Sequence, residues 1–169
     1  CWVLYFCLFI TLAIMSSLKY HNLNTTFFDL GLFLNNFSMI ASGQWQSLFL
    51  SHVQPFGLFW SIPFSFLSID WAATIILVFQ AAFLALPVIG LYRYFGIISA
   101  LAFSFYFPLW YNALFDFHMD HLAVPILFGF FFYERKGKLP HAIFLAVLLA
   151  LVKEPFALQT AFCGLYLCV

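Results

Sequence analysis

The stretch Trp71–Tyr92, WAATIILVFQAAFLALPVIGLY, decides the fold class because it contains no charged residue. The hydrocarbon core of a bilayer is about 30 Å thick and a helix rises about 1.5 Å per residue, so about 20 apolar residues cross it. This stretch is long enough to do so. We therefore predict a membrane-spanning helix here.

The composition of the whole chain agrees with that prediction. Of its 169 residues, 66% are apolar and 7% are charged, and the mean hydropathy is +1.05. A soluble domain averages about 45–50% apolar and about 25% charged residues. The formal net charge is zero, without the high charge of a disordered chain or the basic patch of a nucleic-acid-binding protein. We therefore expect an integral membrane protein that contacts the lipid bilayer and binds no nucleic acid.

The charged residues divide the chain into predicted helices of one transmembrane domain, residues 1–169. We predict an all-α, polytopic helical bundle with five spans and a truncated sixth. Because the chain begins with Cys1 and stops inside an apolar run, we expect a fragment of a longer protein. A cleaved signal peptide is the alternative for the first span. The predicted spans are residues 1–18, 71–92, 95–113, 119–134, 139–153 and 155–169.

Residues 19–70 are predicted to form an outer loop that is too apolar to be free in water. We expect two interfacial helices in it, over residues 27–42 and 52–69. Thr26 and Asp29 resemble a capping box at the start of the first of these. If residues 52–69 crossed the membrane instead, Asp29 would face the side opposite to Asp116.

Two basic segments predict the orientation. Arg93 and residues 134–138 are separated by two predicted spans and so lie on one side, which the positive-inside rule makes cytoplasmic. Residues 115–121 and the pair Lys153–Glu154 then lie on the other side. We expect a prokaryotic plasma-membrane protein with its polar groups on the extracytoplasmic face.

The unusual polar side chains all fall on that face, and such convergence is a hypothesis for a functional site. We interpret Asp29 as a general base, although it could simply cap a helix. A lone histidine such as His52 is usually structural or solvated, unless it faces Asp29. The full set is Asp29, His52, Asp116, His118, Asp120, His121, Lys153 and Glu154.

The densest polar cluster is Asp116-x-His118-x-Asp120-His121. Carboxylates suit a hard divalent cation and Zn²⁺ also accepts imidazole, so Asp116, His118 and Asp120 are candidate ligands for Mg²⁺, Mn²⁺ or Zn²⁺. The alternative is that Asp120 caps a helix and the other two are solvated. Lys153 is a candidate cation for a phosphate that arrives from the lipid, or half of an ion pair with Glu154 at a helix end.

Several short motifs together resemble a prokaryotic family of predicted membrane proteins of unknown function. That family in turn resembles the GT-C membrane glycosyltransferases, which use polyprenyl-phosphate-linked sugars. The motifs are Phe28-Asp29-Leu30-Gly31, Gly43-Gln44-Trp45, Ser51-His52-x-x-Pro55, Leu91-Tyr92-Arg93, Phe115-Asp116-Phe117-His118 and Lys153-Glu154.

The resemblance implies a GT-C-like fold with two interfacial helices in the first outer loop, and a role for each matched residue. Asp29 matches the catalytic acidic residue of the first outer loop, and Asp116 and His118 match the acidic motif of the second. Lys153 stands where the aminoarabinose transferases of lipid A have Lys-Gly-Pro. The chain departs from the family in its single first-loop Asp and in Asp-x-His, where an Asp-Asn-Glu type of motif is usual.

We therefore predict an inverting glycosyltransferase that moves a sugar from a polyprenyl-phosphate donor to an acceptor at the extracytoplasmic face. Asp29, Asp116 and His118 are the predicted catalytic residues. The predicted substrate-binding residues are His52, His121, Lys153 and Glu154. The alternatives are a multi-pass transporter or channel subunit, with polar groups at several depths, and a non-catalytic membrane scaffold.

Overall fold

The structure is a computed structural model that describes residues 1–24, 28–49 and 52–168. Over these residues it contains helices and no strand, which confirms the predicted all-α class. Short 3₁₀ turns lie at Trp45–Phe49, Ile62–Ser65 and Met119–Leu122. The α-helices are α1 Trp2–His21, α2 Phe28–Ala41, α3 Gly57–Ser61, α4 Ile69–Ala85, α5 Pro87–Ser104, α6 Phe107–Phe115, α7 Ala123–Arg135, α8 Leu139–Val152 and α9 Phe156–Leu167.

Two helical stretches of the described chain are long and apolar enough to cross a membrane. They are Trp2–His21 and Ile69–Ser104, with mean hydropathies of 1.8 and 2.3 over their most apolar windows. The second consists of α4 and α5, which follow each other with Leu86 between them. Helices α7, α8 and α9, at the predicted later spans, have 13, 14 and 12 residues. Each of these helices is shorter than the roughly 20 residues that are needed to cross a bilayer core.

Helix α5 contains Arg93, whereas the predicted spans 71–92 and 95–113 end and begin on either side of this residue. The helix continues through Arg93 and breaks at Gly96, where φ is 84° and ψ is −177°. This backbone conformation favours glycine, which has no Cβ. The predicted span 95–113 was therefore wrong as a single helix. It is interrupted again before α6, where Tyr106 is extended and Pro108 lies in the first turn of the next helix.

The interfacial region also departs in part from its prediction. Helix α2 lies close to the predicted 27–42, and its buried Leu30, Phe33 and Phe37 recur at helical spacing. The single helix predicted over 52–69 was wrong, because α3 and the turn Ile62–Ser65 divide that region. Pro63 lies at the start of the turn, and proline disrupts the interior of a continuing helix. Neither piece is long enough to cross a bilayer.

Helices α1 and α4 pack antiparallel. The Tyr20 hydroxyl near the end of α1 donates a hydrogen bond of 3.0 Å to Asp70 Oδ1 at the start of α4. Further along the pair, Leu8 and Leu12 belong to the same buried cluster as Ala81. Small residues such as Ala81 let two helices approach closely.

The bundle has two chemically distinct ends. Helix α7 runs from one to the other, and α8 returns beside it. At one end Lys136 lies over the ring of Tyr94, which brings together the two basic segments predicted to share a side. We call this the basic end, defined by Arg93, Arg135, Lys136 and Lys138. The polar end lies opposite and is defined by Lys19, Asp29, Asp70, Asp116, His118, Asp120 and Lys153.

Candidate functional site at the polar end

A buried glutamine holds the segment that follows α6. Gln80 is 2% exposed in the middle of α4. Its Nε2 donates hydrogen bonds to the carbonyl oxygens of Ala113, at 3.4 Å, and Asp116, at 3.3 Å. Its Oε1 accepts a hydrogen bond of 3.2 Å from the backbone N–H of His118. One side chain thus bonds to three backbone groups, one in the last turn of α6 and two in the segment after it that carries His118.

Lys19 supports the same segment from α1. Its Nζ donates hydrogen bonds to the carbonyl oxygens of Leu114 and Phe115, the latter at 3.0 Å. These carbonyls end α6 and have no partner within their own helix. A cation at a helix C-terminus also interacts favourably with the helix dipole. Gln80 and Lys19 were not among the predicted site residues. A lone amide inside an apolar span and a lysine at a helix end are the features that could have indicated them.

Asp29 and His118 form the first pair of the site. Asp29 lies in the first turn of α2, and its Oδ2 is 3.5 Å from Nε2 of His118. Both side chains are about one-third exposed, at 33% and 28% respectively. The His118 ring stacks on Phe115, with centroids 6.0 Å apart, and meets the edge of Phe33. A partly exposed carboxylate is thus held beside an imidazole whose ring is positioned by aromatic side chains.

Lys153 and Asp120 form the second pair. Nζ of Lys153 donates to Oδ2 of Asp120 at 3.3 Å. The lysine side chain is only 14% exposed, whereas the aspartate is 41% exposed. Lys153 has an extended backbone between α8 and α9. The ammonium group is therefore largely shielded from solvent and lies beside a partly exposed carboxylate.

His52 pairs with Glu154 and not with Asp29. Its Nδ1 is 2.5 Å from Glu154 Oε1, and the other carboxylate oxygen accepts a hydrogen bond of 3.0 Å from the N–H of Val53. Desolvation of Glu154 raises the pKa of its carboxyl group, but the hydrogen bond from His52, the charge of His52 and the hydrogen bonds from backbone N–H groups together lower this pKa below its ordinary value. The pair connects His52, which precedes α3, to Glu154, which directly follows Lys153.

Two predicted site residues are buried. Asp116 is 4% exposed and lies directly after α6 with an extended backbone. His121 is 8% exposed, in the turn that precedes α7, so the helix predicted from residue 119 begins later. The pKa of His121 is lowered to about 4, mainly by burial and to a smaller extent by the nearby His118. Its imidazole is therefore neutral at pH 7. Its Nδ1 has no hydrogen-bond partner among the described residues.

The predicted metal ligands are not brought together. Within residues 1–24, 28–49 and 52–168, no group of three His, Cys, Asp or Glu side chains is placed to hold a metal ion. Asp120 contacts Lys153 and His118 contacts Asp29, while Asp116 is buried. The three residues are close in the sequence and lie in one segment, but their side chains are placed in different surroundings. The predicted cap Thr26 and Ser51 of the Ser-His motif lie outside the described residues.

The comparison of this chain with protein-family models, with curated proteins and with solved structures finds no match. Within the described part of the chain, the polar end carries the carboxylate–imidazole pair Asp29–His118 and the lysine–carboxylate pair Lys153–Asp120, and the His52–Glu154 pair lies next to Lys153.

Proposed function

We propose that this chain is part of an integral membrane protein with a GT-C-like arrangement, in which α2 and α3 lie at the membrane interface. The outward faces of its helices support the proposal, since Val3 is 78% exposed, Leu158 65% and Phe162 61%. Large apolar side chains exposed on several helices are costly in water and favourable in lipid. The cations of the basic end support a cytoplasmic position for that end by the positive-inside rule. The polar end is then extracytoplasmic, in a prokaryotic plasma membrane.

We further propose that the polar end transfers a sugar from a polyprenyl-phosphate donor to an acceptor hydroxyl. The observation that carries this proposal is the Asp29–His118 pair, which presents a partly exposed carboxylate beside an imidazole. Asp29 takes the proton of the acceptor hydroxyl as a general base. The acceptor oxygen attacks the anomeric carbon and forms the new glycosidic bond. The bond between the anomeric carbon and the phosphate oxygen breaks, with inversion at that carbon. The electron pair of this bond leaves on the polyprenyl phosphate.

Lys153 is proposed to stabilise the leaving phosphate. A cation that is 14% exposed is largely removed from water, so its attraction for an arriving anion is stronger than at an open surface. Asp120 holds the ammonium group in place until the donor enters. The neighbouring His52–Glu154 pair positions the backbone on which Lys153 lies. A donor that carries its phosphate on a lipid reaches this lysine from the membrane.

The remaining predicted residues receive supporting roles in this proposal. Asp116 and His121 are buried, which favours positioning of the 116–121 segment over direct contact with substrate. Gln80 sets the backbone of His118 and is a further positioning residue. No step of the proposed reaction requires a metal ion.

The transporter alternative finds less support. A conduction path needs polar groups at several depths of the bilayer. The buried hydroxyls of Ser16, one turn before Lys19, and of Ser104 each donate to a carbonyl of their own helix, at 2.7 Å. Neither is free to line a path. For the scaffold alternative, substitutions at the site should be silent, and the experiment below tests this.

The test uses the full-length purified protein in lipid–detergent micelles, with a panel of radiolabelled polyprenyl-phosphate hexoses as donors. Asp29→Asn and Lys153→Ala should each lower the rate of polyprenyl phosphate release about 10²- to 10⁴-fold, as expected for loss of acid–base or electrostatic catalysis. Asp70→Asn is the matched control, because Asp70 lies at the same end but bonds to Tyr20. Parental rates for Asp29→Asn, at equal protein levels, would contradict the proposal.

A further inference from the structure

An apolar groove lies between α5 and α7, far from the proposed transfer site. Its volume is about 710 Å³, within the range of about 300–1,000 Å³ that is usual for small-molecule sites. Apolar and aromatic side chains make most of its wall, among them Leu91, Phe128 and Phe132. Gly90 also lines it, and a Cβ built there would meet only Phe132, at 3.9 Å. The groove is therefore open along the α5 side.

Cations lie at the end of this groove. Arg135 is part of its lining, and its Cζ lies 5.7 Å from the centre of the Phe95 ring. Lys136 Nζ lies 4.4 Å from the ring of Phe132, which also lines the groove. Aromatic faces hold both cations in place but leave their N–H donors available. Among the described residues, no carboxylate pairs with either cation.

We propose that this groove binds one acyl chain of an anionic membrane phospholipid, with the lipid phosphate against Arg135 and Lys136. A long apolar wall that ends in two unpaired cations matches a molecule with an apolar tail and one negative end. Basic pockets between helices on the cytoplasmic side are suited to anionic headgroups. The inference rests on the membrane placement proposed above, and not on the sugar-transfer chemistry.

Native mass spectrometry of the detergent-solubilised full-length protein tests the site. The protein is titrated with dioleoylphosphatidylglycerol and, separately, with dioleoylphosphatidylcholine. Phosphatidylglycerol should bind more tightly, and Arg135→Gln should weaken its binding about fivefold, the effect of about one cation near an anionic lipid. Lys138→Gln removes a charge from the same loop but outside the groove, and should change binding less. Equal affinity for the two lipids would overturn the proposal.

A second variant tests the groove itself. Gly90→Leu fills the space along α5 and should abolish most phosphatidylglycerol binding. Gly164→Leu adds the same side chain to an exposed position of α9 and should leave binding unchanged. If Gly90→Leu binds lipid like the parent, the acyl chain does not occupy the groove. If it dissociates a dimer while lipid binding persists, the groove is an interface between copies, which also overturns the proposal.

The two proposals can fail separately. Loss of sugar transfer in Asp29→Asn with intact lipid selectivity supports both. Lipid selectivity without any transfer activity contradicts only the proposed reaction. Release of the parent protein from membranes by alkaline carbonate would contradict the membrane placement, and the lipid site would fail with it.

Discussion

At the polar end, charged and amide side chains join segments that are far apart in the sequence, whereas at the basic end the cations rest on aromatic rings. Gln80 and Lys19 each bond to backbone carbonyls near the end of α6, and Lys153 reaches Asp120. Arg135 and Lys136, by contrast, are exposed and contact Phe95, Tyr94 and Phe132. The polar end is thus held by specific hydrogen bonds and ion pairs. Substitutions there should lower the free energy of unfolding more than substitutions at the basic end.

This difference indicates where precision is needed. Hydrogen bonds between distant segments restrict the position of the backbone that carries His118. The general-base role proposed for Asp29 would require such a narrow geometry. Cation–ring contacts at the surface constrain the backbone much less, and they leave the charges available for membrane orientation. The following substitutions compare the two ends directly.

Replacement of Gln80 should have the greatest effect on stability. Gln80→Leu keeps the volume but leaves the N–H of His118 and two carbonyl oxygens without their partner. Buried groups left unsatisfied cost about 1–3 kcal/mol each, so we expect a loss of about 3 kcal/mol in the free energy of unfolding. Chemical denaturation in detergent measures it. Gln159→Leu, at an exposed position of α9, is the control and should change stability little.

Replacing a lysine should also lower the free energy of unfolding more at the polar end than at the basic end, but by less than replacing Gln80. Lys19→Met removes the donor to the carbonyls of Leu114 and Phe115 and should cost about 1–2 kcal/mol. Lys138→Met at the basic end should stay within about 0.5 kcal/mol of the parent, as is usual for a surface position. Thermal unfolding of both variants gives the comparison. Equal losses at the two ends would contradict the difference described above.

The smallest effect is expected from the exposed His52–Glu154 pair, and it should depend on pH. Because the folded state lowers the pKa of Glu154 from its ordinary 4.5, this carboxylate stabilises the fold above that value. Its contribution is lost as the pH falls through the lowered pKa, since the unfolded chain takes up the proton first. Glu154→Gln should therefore make the melting temperature less sensitive to acid.

His52→Ala provides the matching variant for that measurement. It removes the hydrogen bond and the charge of His52, two of the interactions that lower the pKa of Glu154, so it should reduce the acid sensitivity in the same direction but by less. The double variant should behave like Glu154→Gln alone. An unchanged acid dependence in both single variants would show that the pair does not contribute to stability.

The sequence predicted those features that depend on local patterns. The apolar character of residues 27–42 and the possible capping box at Thr26 and Asp29 indicated α2, and in the structure its buried Leu30, Phe33 and Phe37 recur at the 3.6-residue period of a helix. The grouping of Arg93 with residues 134–138 followed from counting apolar stretches between charges. The all-α class followed from composition. Each of these inferences depends only on residues that are close in the sequence, on the number of apolar stretches or on the overall composition.

Features that depend on distant contacts or on backbone breaks were not predictable in the same way. His52 lies 102 positions before Glu154, and no local pattern indicates that it faces this residue and not Asp29. The break at Gly96 depends on a positive φ that a glycine permits but does not require. Likewise, only the folded arrangement separates Asp116, His118 and Asp120 into different environments, so that among the described residues these side chains do not form one group of metal ligands.

Sidedness is the central claim, and cysteine labelling of intact cells tests it most directly. In the full-length protein without Cys1, Cys7, Cys163 and Cys168, single cysteines replace Asn24, His52, Lys136 or Lys138, all exposed. A membrane-impermeant maleimide should label the first two in intact cells and the last two only after permeabilisation. Labelling of Lys136→Cys in intact cells, or protection of His52→Cys, would contradict an extracytoplasmic site.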